Sequence, residues 1–129
     1  MVTSVNTAGE SAQITIQQVQ GCLVAYLQTD LTQEVLDLLT RSLLGRIEQT
    51  GARGVVLDFT GLAVLGLPEF EAIRRILRMA ELLGAACMIV GLNAGIVAYL
   101  ITRGADTRGQ NSMFGIDEAL DWFALQKKL

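Results

Sequence analysis

Few side chains in this sequence could carry chemistry, and it contains no histidine. Without imidazole, the commonest general base and metal ligand is missing, and no Ser–His or Cys–His nucleophile pair can form. The best-placed acid is Asp58, which we expect at the end of a buried strand, where open α/β sheets present functional groups. Asp58 could act as an acid or base, or its carboxylate could accept hydrogen bonds from the following turn. We favour the structural role.

Both cysteines, Cys22 and Cys87, fall within predicted strands. These positions predict free core thiols in a reducing compartment. The cysteines lack the CxxC spacing of zinc sites, and no GxxxxGKS/T or GxGxxG phosphate-binding motif occurs. We therefore expect no metal and no cofactor. An acid–base enzyme is the weakest functional hypothesis, and we expect a protein that is not an enzyme.

Composition favours a single soluble domain located in the cytoplasm. Hydrophobic residues make up 51% of the 129 residues, enough for a sizeable core. The net charge of -3 offers no basic surface to a phosphate backbone, so we expect no nucleic-acid partner. Residues 1–11 show no basic or apolar region typical of a signal peptide, and we expect a flexible leader there, followed by one domain over residues 12–129.

The uncharged residues 82–102 are the one candidate for a membrane span. Glycines and Asn93 interrupt this run, and a strand followed by a helix explains it better. We therefore expect no association with a membrane.

The strands that would position these residues have two kinds of pattern. Residues 12–19 and 22–27 are separated by Gln20 and Gly21 alone, which predicts an antiparallel hairpin. Continuous apolar runs at residues 54–59 and 85–92 predict strands buried on both faces, as in parallel sheets. A short edge strand is predicted at residues 113–114.

Helices are predicted over residues 31–50, 68–83 and 94–102, and from about residue 116. Asp30 is expected to cap the first helix, Pro68 to begin the second and Asn93 to cap the third. The polar face of the second helix is expected in solvent; it comprises Glu71, Arg74, Arg75, Arg78 and Glu81. The element order predicts an α/β fold, with an N-terminal antiparallel hairpin, then parallel βα units in one mixed sheet, and about four helices.

The segment that enters the second helix, residues 60–67 (TGLAVLGL), is apolar where a polar turn is expected. We call it the leucine turn. Its large side chains are Leu62, Val64, Leu65 and Leu67. Some of them could anchor the helix on the sheet, and others could be exposed and form an apolar surface that docks a partner. The sequence leaves both interpretations open.

The stretches GARGVVLDFTGLAVLG and LLGAACMIVGLNAGIVAYLITRG, with the helix between them, resemble the STAS-domain anti-sigma-factor antagonists. They look most like the S-type scaffold subunits of the stressosome, the RsbS group. The resemblance covers roughly residues 14–125 and lies in the order and spacing of the elements. It implies a non-enzymatic module of bacterial stress and sigma-factor signalling, which binds a switch serine/threonine kinase or an anti-sigma factor. It also implies assembly with other STAS or stressosome subunits, homo-oligomers included.

In the family that the chain resembles, a serine preceded by an aspartate begins the second helix, and its phosphorylation controls release of the partner. The matching residues here are Gly66 and Leu67, which cannot accept a phosphate. Thr60 is the nearest hydroxyl, a weak substitute because it lies at the strand end. A second phosphorylation site of related R-type subunits falls near Tyr99. Asn93, with Ala94 after it, stands in place of a family proline.

These considerations predict a partner-binding surface at the start of the second helix and in the loop after the fourth predicted strand. It comprises Asp58, Thr60, Leu65, Gly66, Leu67, Pro68, Glu69 and Asn93. We expect a domain held permanently in an unphosphorylated-like state. The alternative is a small-molecule or nucleotide sensor that binds its ligand in a crevice beside Asp58, Thr60 and Asn93.

Overall fold

A computed structural model of the chain describes residues 4–5, 14–107, 112–113 and 115–127. The strands are β1 (Ser4–Val5), β2 (Ile14–Val19), β3 (Cys22–Leu27), β4 (Gly54–Asp58), β5 (Ala86–Val90) and β6 (Ser112–Met113). The helices are α1 (Gln33–Thr50), α2 (Leu67–Leu82), α3 (Ala94–Thr102) and α4 (Ile116–Lys127).

The strands form one mixed sheet in the order β1-β2-β3-β4-β5-β6. The β1–β2 and β2–β3 pairs are antiparallel, and the remaining pairs are parallel. The hairpin turn has positive φ at both Gln20 (54°) and Gly21 (78°), the backbone twist that two-residue hairpins prefer. The α/β fold class predicted from the sequence is confirmed.

The helices divide unequally between the two faces of the sheet. On one face, α1, α2 and α3 bury a large core, in which Leu39, Ile73 and Leu100 pack with side chains of the strands. On the other face, the described residues place α4 against the sheet, with Ala119, Leu120 and Phe123 over the central strands. Because both faces are covered, nearly all residues of β4 and β5 are buried, as their continuous apolar runs predicted.

A glycine allows α4 to lie this close to the sheet. A Cβ atom on Gly54 would lie 2.6 Å from Phe123 Cδ2 and 2.9 Å from Cys22 Sγ. Distances this short do not occur between real side chains, so any larger residue at the start of β4 would displace the helix.

Helix α1 begins two residues later than expected. Thr32, and not Asp30, is its N-cap: Val35 N donates to Thr32 Oγ1 over 3.2 Å. The cap oxygen has to face the N–H groups two or three residues ahead. The helix ends as predicted at Gly51, whose φ is 65° and whose N–H donates to the Ile47 carbonyl.

The expected solvated face of α2 needs one correction, because Arg74 is buried, with 6% of its surface exposed. Its guanidinium lies 4.0 Å from Glu71 and 3.7 Å from Asp106, while Nε has no hydrogen-bond partner among the described residues. Asp106 belongs to the loop after α3. The proximity of this loop explains a burial that the helical period alone does not reveal.

Two further expectations concern other parts of the chain. Residues 82–102, considered as a membrane span, form the end of α2, then β5 and α3, and no helix in the described ranges is long and apolar enough to cross a bilayer. Within the expected leader, Ser4–Val5 pairs with β2. The other leader residues, and Phe114 of the expected edge strand, lie outside the described residues.

Candidate functional site

Asp58, the last residue of β4, organises the turn after that strand. Its Oδ1 accepts two hydrogen bonds from Thr60, one from the backbone N–H at 2.9 Å and one from the hydroxyl at 2.6 Å. A carboxylate that bonds the backbone two residues ahead is typical of turns begun by Asp. This geometry corresponds to the structural role that we favoured for Asp58, and it engages the Thr60 hydroxyl.

Gly91, just after β5, packs against the same turn. Its φ is 81°, and a Cβ atom there would contact Thr60 Oγ1 and lie 2.7 Å from Thr60 N and 3.0 Å from Asp58 Oδ1. Only glycine fits this combination of backbone conformation and close approach. Backbone therefore takes up space beside Asp58 and Thr60 that the sensor hypothesis assigned to a ligand. Gly91 was expected inside the strand predicted over residues 85–92, and its packing against the turn was missed, although an isolated glycine in a strand pattern signals a close approach of backbone.

The leucine turn contains both kinds of side chain that the sequence left open. Leu62 and Leu65 are buried in the core beneath α1 and α2, Leu65 with 3% of its surface exposed. Val64, between them in sequence, is 77% exposed, and Leu67 is half-buried. The structure thus places Leu65, which was predicted as part of the partner-binding surface, in the core. It exposes Val64, which was one of the turn residues considered for docking but was not among the predicted surface residues.

The first turn of α2 has no side-chain cap. Its N-cap is Gly66, with extended backbone, and the helix continues through Leu67, Pro68 and Glu69, so that Pro68 is the second helical residue and not the first. A Cβ atom on Gly66 would contact the Glu69 carboxylate, which therefore lies back over the helix start. A carboxylate in this position is favourable because the helix N-terminus is electropositive.

A groove of about 530 Å³ lies between the start of α1 and the leucine turn. We call it the helix-start groove; its lining residues are Asp30, Leu31, Thr32, Val64, Leu65, Gly66 and Glu69. Sequence reasoning had treated Asp30 only as a helix cap. The pairing of β3 with β4 brings the loops that follow these two strands to one edge of the sheet.

Helix α3 follows the next loop and exposes an apolar surface. Asn93 caps it as predicted, because its Oδ1 accepts a hydrogen bond from Ile96 N at 2.8 Å. Only Ile96 and Leu100 are buried in this helix, and Ile101 is 58% exposed. Tyr99, at the expected second position, is also exposed, and the Arg103 guanidinium lies 5.2 Å from its ring centre. An uncharged helix left open in this way is typical of an interaction surface.

The two thiols lie near the starts of their strands, away from this edge of the sheet, and both have low reactivity. Cys22 and Cys87 are free and buried. Burial, with a smaller contribution from the Glu81 charge, raises the pKa of the Cys87 thiol to about 12. Burial also raises the pKa of Cys22, which the Arg53 charge partly counteracts. A nucleophilic cysteine needs a lowered pKa, so neither residue suits that role.

Comparison with known protein families finds a match to the STAS domain over residues 13–104. No match was found among curated protein sequences.

Solved structures with the same fold include three that the chain covers nearly whole. A variant of Moorella thermoacetica RsbS is 24% identical with a TM-score of 0.78, over 91% of this chain and 99% of that one. A structure of the stressosome, described as a signal integration and transduction hub, is 22% identical with a TM-score of 0.72, over 88% and 99%. The anti-sigma factor antagonist SpoIIAA in its unphosphorylated form is 12% identical with a TM-score of 0.67, over 90% and 97%.

Proposed function

The chain belongs to the STAS domain family, and from this membership we propose that it is a protein-interaction module of bacterial stress or sigma-factor signalling. Its proposed partners are a switch serine/threonine kinase or an anti-sigma factor, and other STAS or stressosome subunits, a second copy of the chain included. The similar structures, RsbS, the stressosome and SpoIIAA, support the fold on which the proposal builds. The proposal includes a non-enzymatic role in the cytoplasm and a single domain over residues 12–129.

One observation carries this proposal: an exposed apolar side chain stands next to an uncapped helix start. Val64 is 77% exposed in a turn whose other large residues are buried or half-buried. An aliphatic side chain held out by a turn that is anchored in the core loses little entropy on binding, and it suits a partner pocket. Helix α3, after the loop that holds Asn93, exposes further apolar residues such as Ile101.

The proposal includes docking that no phosphate controls. Leu67 occupies the family's acceptor position and carries no hydroxyl. The Thr60 hydroxyl donates to Asp58 at 2.6 Å, so its phosphorylation would break that bond and bring two negative groups together. We therefore propose a module that stays competent for binding whatever the activity of its kinase.

The docking surface is tested by Val64→Asp, with Leu82→Asp as the matched control. Leu82 is 87% exposed at the far end of α2, so the same charge enters a similarly exposed aliphatic position outside the surface. We expect Val64→Asp to weaken binding of the purified switch kinase or anti-sigma factor by about tenfold or more, since a charge would be buried in an apolar contact. Biolayer interferometry measures the dissociation constant for the wild type and for both variants. Unchanged binding by Val64→Asp, or equal losses in both variants, would contradict the proposal.

Phosphate independence has its own test. After incubation with the switch kinase and ATP, intact-mass spectrometry should show the unmodified chain. One phosphate per chain on Thr60 would contradict this part of the proposal and leave the docking surface untouched.

A further inference from the structure

The helix-start groove combines apolar walls with two carboxylates that form no ion pair within the part of the chain that the structure describes. Val64 and Leu65 supply the apolar atoms, and Asp30 and Glu69 supply the charge. The ion pairs formed in the described part of the chain involve other residues, so neither carboxylate has a basic partner there. A groove of about 530 Å³ is within the size range of ordinary ligand sites.

The two helix starts that border the groove offset only part of this charge. A helix N-terminus is equivalent to roughly +0.5 elementary charge, so two of them cancel about half of the charge on two carboxylates. At the N-terminus of α1, the Thr32 hydroxyl already accepts the Val35 N–H, and Glu34 adds a further negative charge in the first turn. The groove is therefore acidic, and charge complementarity favours a cationic occupant.

We infer that the helix-start groove receives a basic side chain of the switch kinase or anti-sigma factor, an arginine or lysine beside an apolar residue. The cationic group lies between Asp30 and Glu69, and the apolar neighbour packs on Val64. Arginine suits this position best, because its planar guanidinium can bond two carboxylates while its flat faces tolerate apolar contact. The inference rests on the proposed function, since it specifies the chemistry of the partner at the same surface.

A pair of peptides tests the inference without the natural partner. The probes are acetyl-leucyl-arginyl-leucinamide and the same peptide with citrulline, a neutral isostere of arginine, titrated into ¹⁵N-labelled protein and followed by NMR. We expect the amide signals of Leu31, Val64 and Glu69 to shift, with the arginine peptide bound about three- to fivefold more tightly at low salt. This preference should shrink as the salt concentration rises.

Two double variants that remove the same number of charges identify which carboxylates cause the preference for arginine. Asp30→Asn combined with Glu69→Gln removes both carboxylates from the groove and should abolish the preference for arginine. Glu48→Gln combined with Glu81→Gln removes the same number of charges from exposed positions on α1 and α2, outside the groove, and should retain it. Both pairs are isosteric and keep the fold intact, which the spectra themselves report.

Several results would overturn the inference: equal binding of both peptides, no shifts in the groove, or a preference that survives Asp30→Asn with Glu69→Gln. Groove signals that change with protein concentration alone would assign the groove to a second copy of the chain and would also overturn it. The proposed function is judged separately. Kinase binding that Val64→Asp abolishes, together with no arginine preference, would refute this inference alone; an arginine preference without binding of kinase or anti-sigma factor would refute the proposed function alone.

Discussion

At the scale of single residues, the carboxyl edge of the sheet depends on three groups in close contact. Asp58 accepts both hydrogen bonds from Thr60, and Gly91 packs its backbone against the pair. Together they hold the turn after β4 against the loop after β5. This contact fixes the start of the leucine turn, which carries Val64.

Gly91→Ala should destabilise the protein more than Gly104→Ala. Both glycines have a φ of 81°, but a Cβ atom would meet nothing within 4 Å at Gly104. The backbone conformation alone costs about 1–2 kcal/mol for alanine. At Gly91, the contacts with Thr60 and Asp58 should add roughly 1–3 kcal/mol of overpacking. Urea unfolding of the two variants measures the difference in their free energies of unfolding. Equal destabilisation would contradict the prediction, since it would mean that the turn shifts to accommodate the added methyl group.

At the scale of elements, α4 packs on the sheet with little free space. Its Phe123 ring lies over Gly54 and Cys22, and Trp122 packs edge-on against Phe123 with the ring centres 5.4 Å apart. The other helices share one core, whereas the described part of the opposite face depends on α4.

Gly54→Ala should loosen α4, and Gly45→Ala serves as its counterpart. A methyl group at Gly54 would overlap the Phe123 ring, with an expected loss of about 1–3 kcal/mol. Gly45 lies inside α1 with nothing within 4 Å of an added Cβ, so alanine there should stabilise the protein by roughly 0.5–1 kcal/mol. Denaturant unfolding gives both values, and fluorescence of Trp122, the only tryptophan, reports whether α4 has shifted. An unchanged spectrum and stability in Gly54→Ala would contradict this account.

Elements with a strong local period were predictable from the sequence. Features that depend only on residues close in sequence lie at or within a few residues of their expected positions. They are the alternation in β2, the apolar runs of β4 and β5, and the caps at Gly51 and Asn93. The mixed sheet, with an antiparallel hairpin followed by parallel strands, followed from the alternation of strands and helices.

Features that depend on distant parts of the chain were not predictable. Arg74 is buried close to Asp106 of a later loop, which no helical period reveals. The sequence shows that the leucine turn is apolar, but it does not show which side chains face the core and which face solvent, because a turn has no repeating period. Leu65 therefore turned out to lie in the core while Val64 points outward. The groove between two loops became visible only once β3 and β4 were paired.

At the scale of the whole molecule, binding and structural chemistry are separated along the strands. The apolar and acidic groove lies at the edge where β3 and β4 end, and the buried thiols lie toward the strand starts. The molecule thus keeps both thiols away from the surface that we assign to partners.

The buried thiol of Cys87 should make the fold sensitive to alkali. Its folded-state pKa of about 12 exceeds the ordinary value of 9.0, so the unfolded chain releases this proton at lower pH than the folded protein does. The stabilisation is complete below pH 9 and is lost progressively as the pH rises toward 12. Urea unfolding between these limits should show a steeper decline for the wild type than for Cys87→Ala. Parallel declines would contradict the prediction, since tyrosine and lysine titrate in both proteins.

The unequal covering of the sheet has a consequence during protein synthesis. All strands and helices of the larger core precede α4 in the sequence, so a nascent chain can form β2 to β5 with α1 and α2 while Val24, Val56 and Met88 still lack their cover. Until residues 116–127 leave the ribosome, that apolar face can bind chaperones or associate nonspecifically with other nascent chains. Truncation before Ile116 should therefore yield aggregates rather than a smaller folded protein.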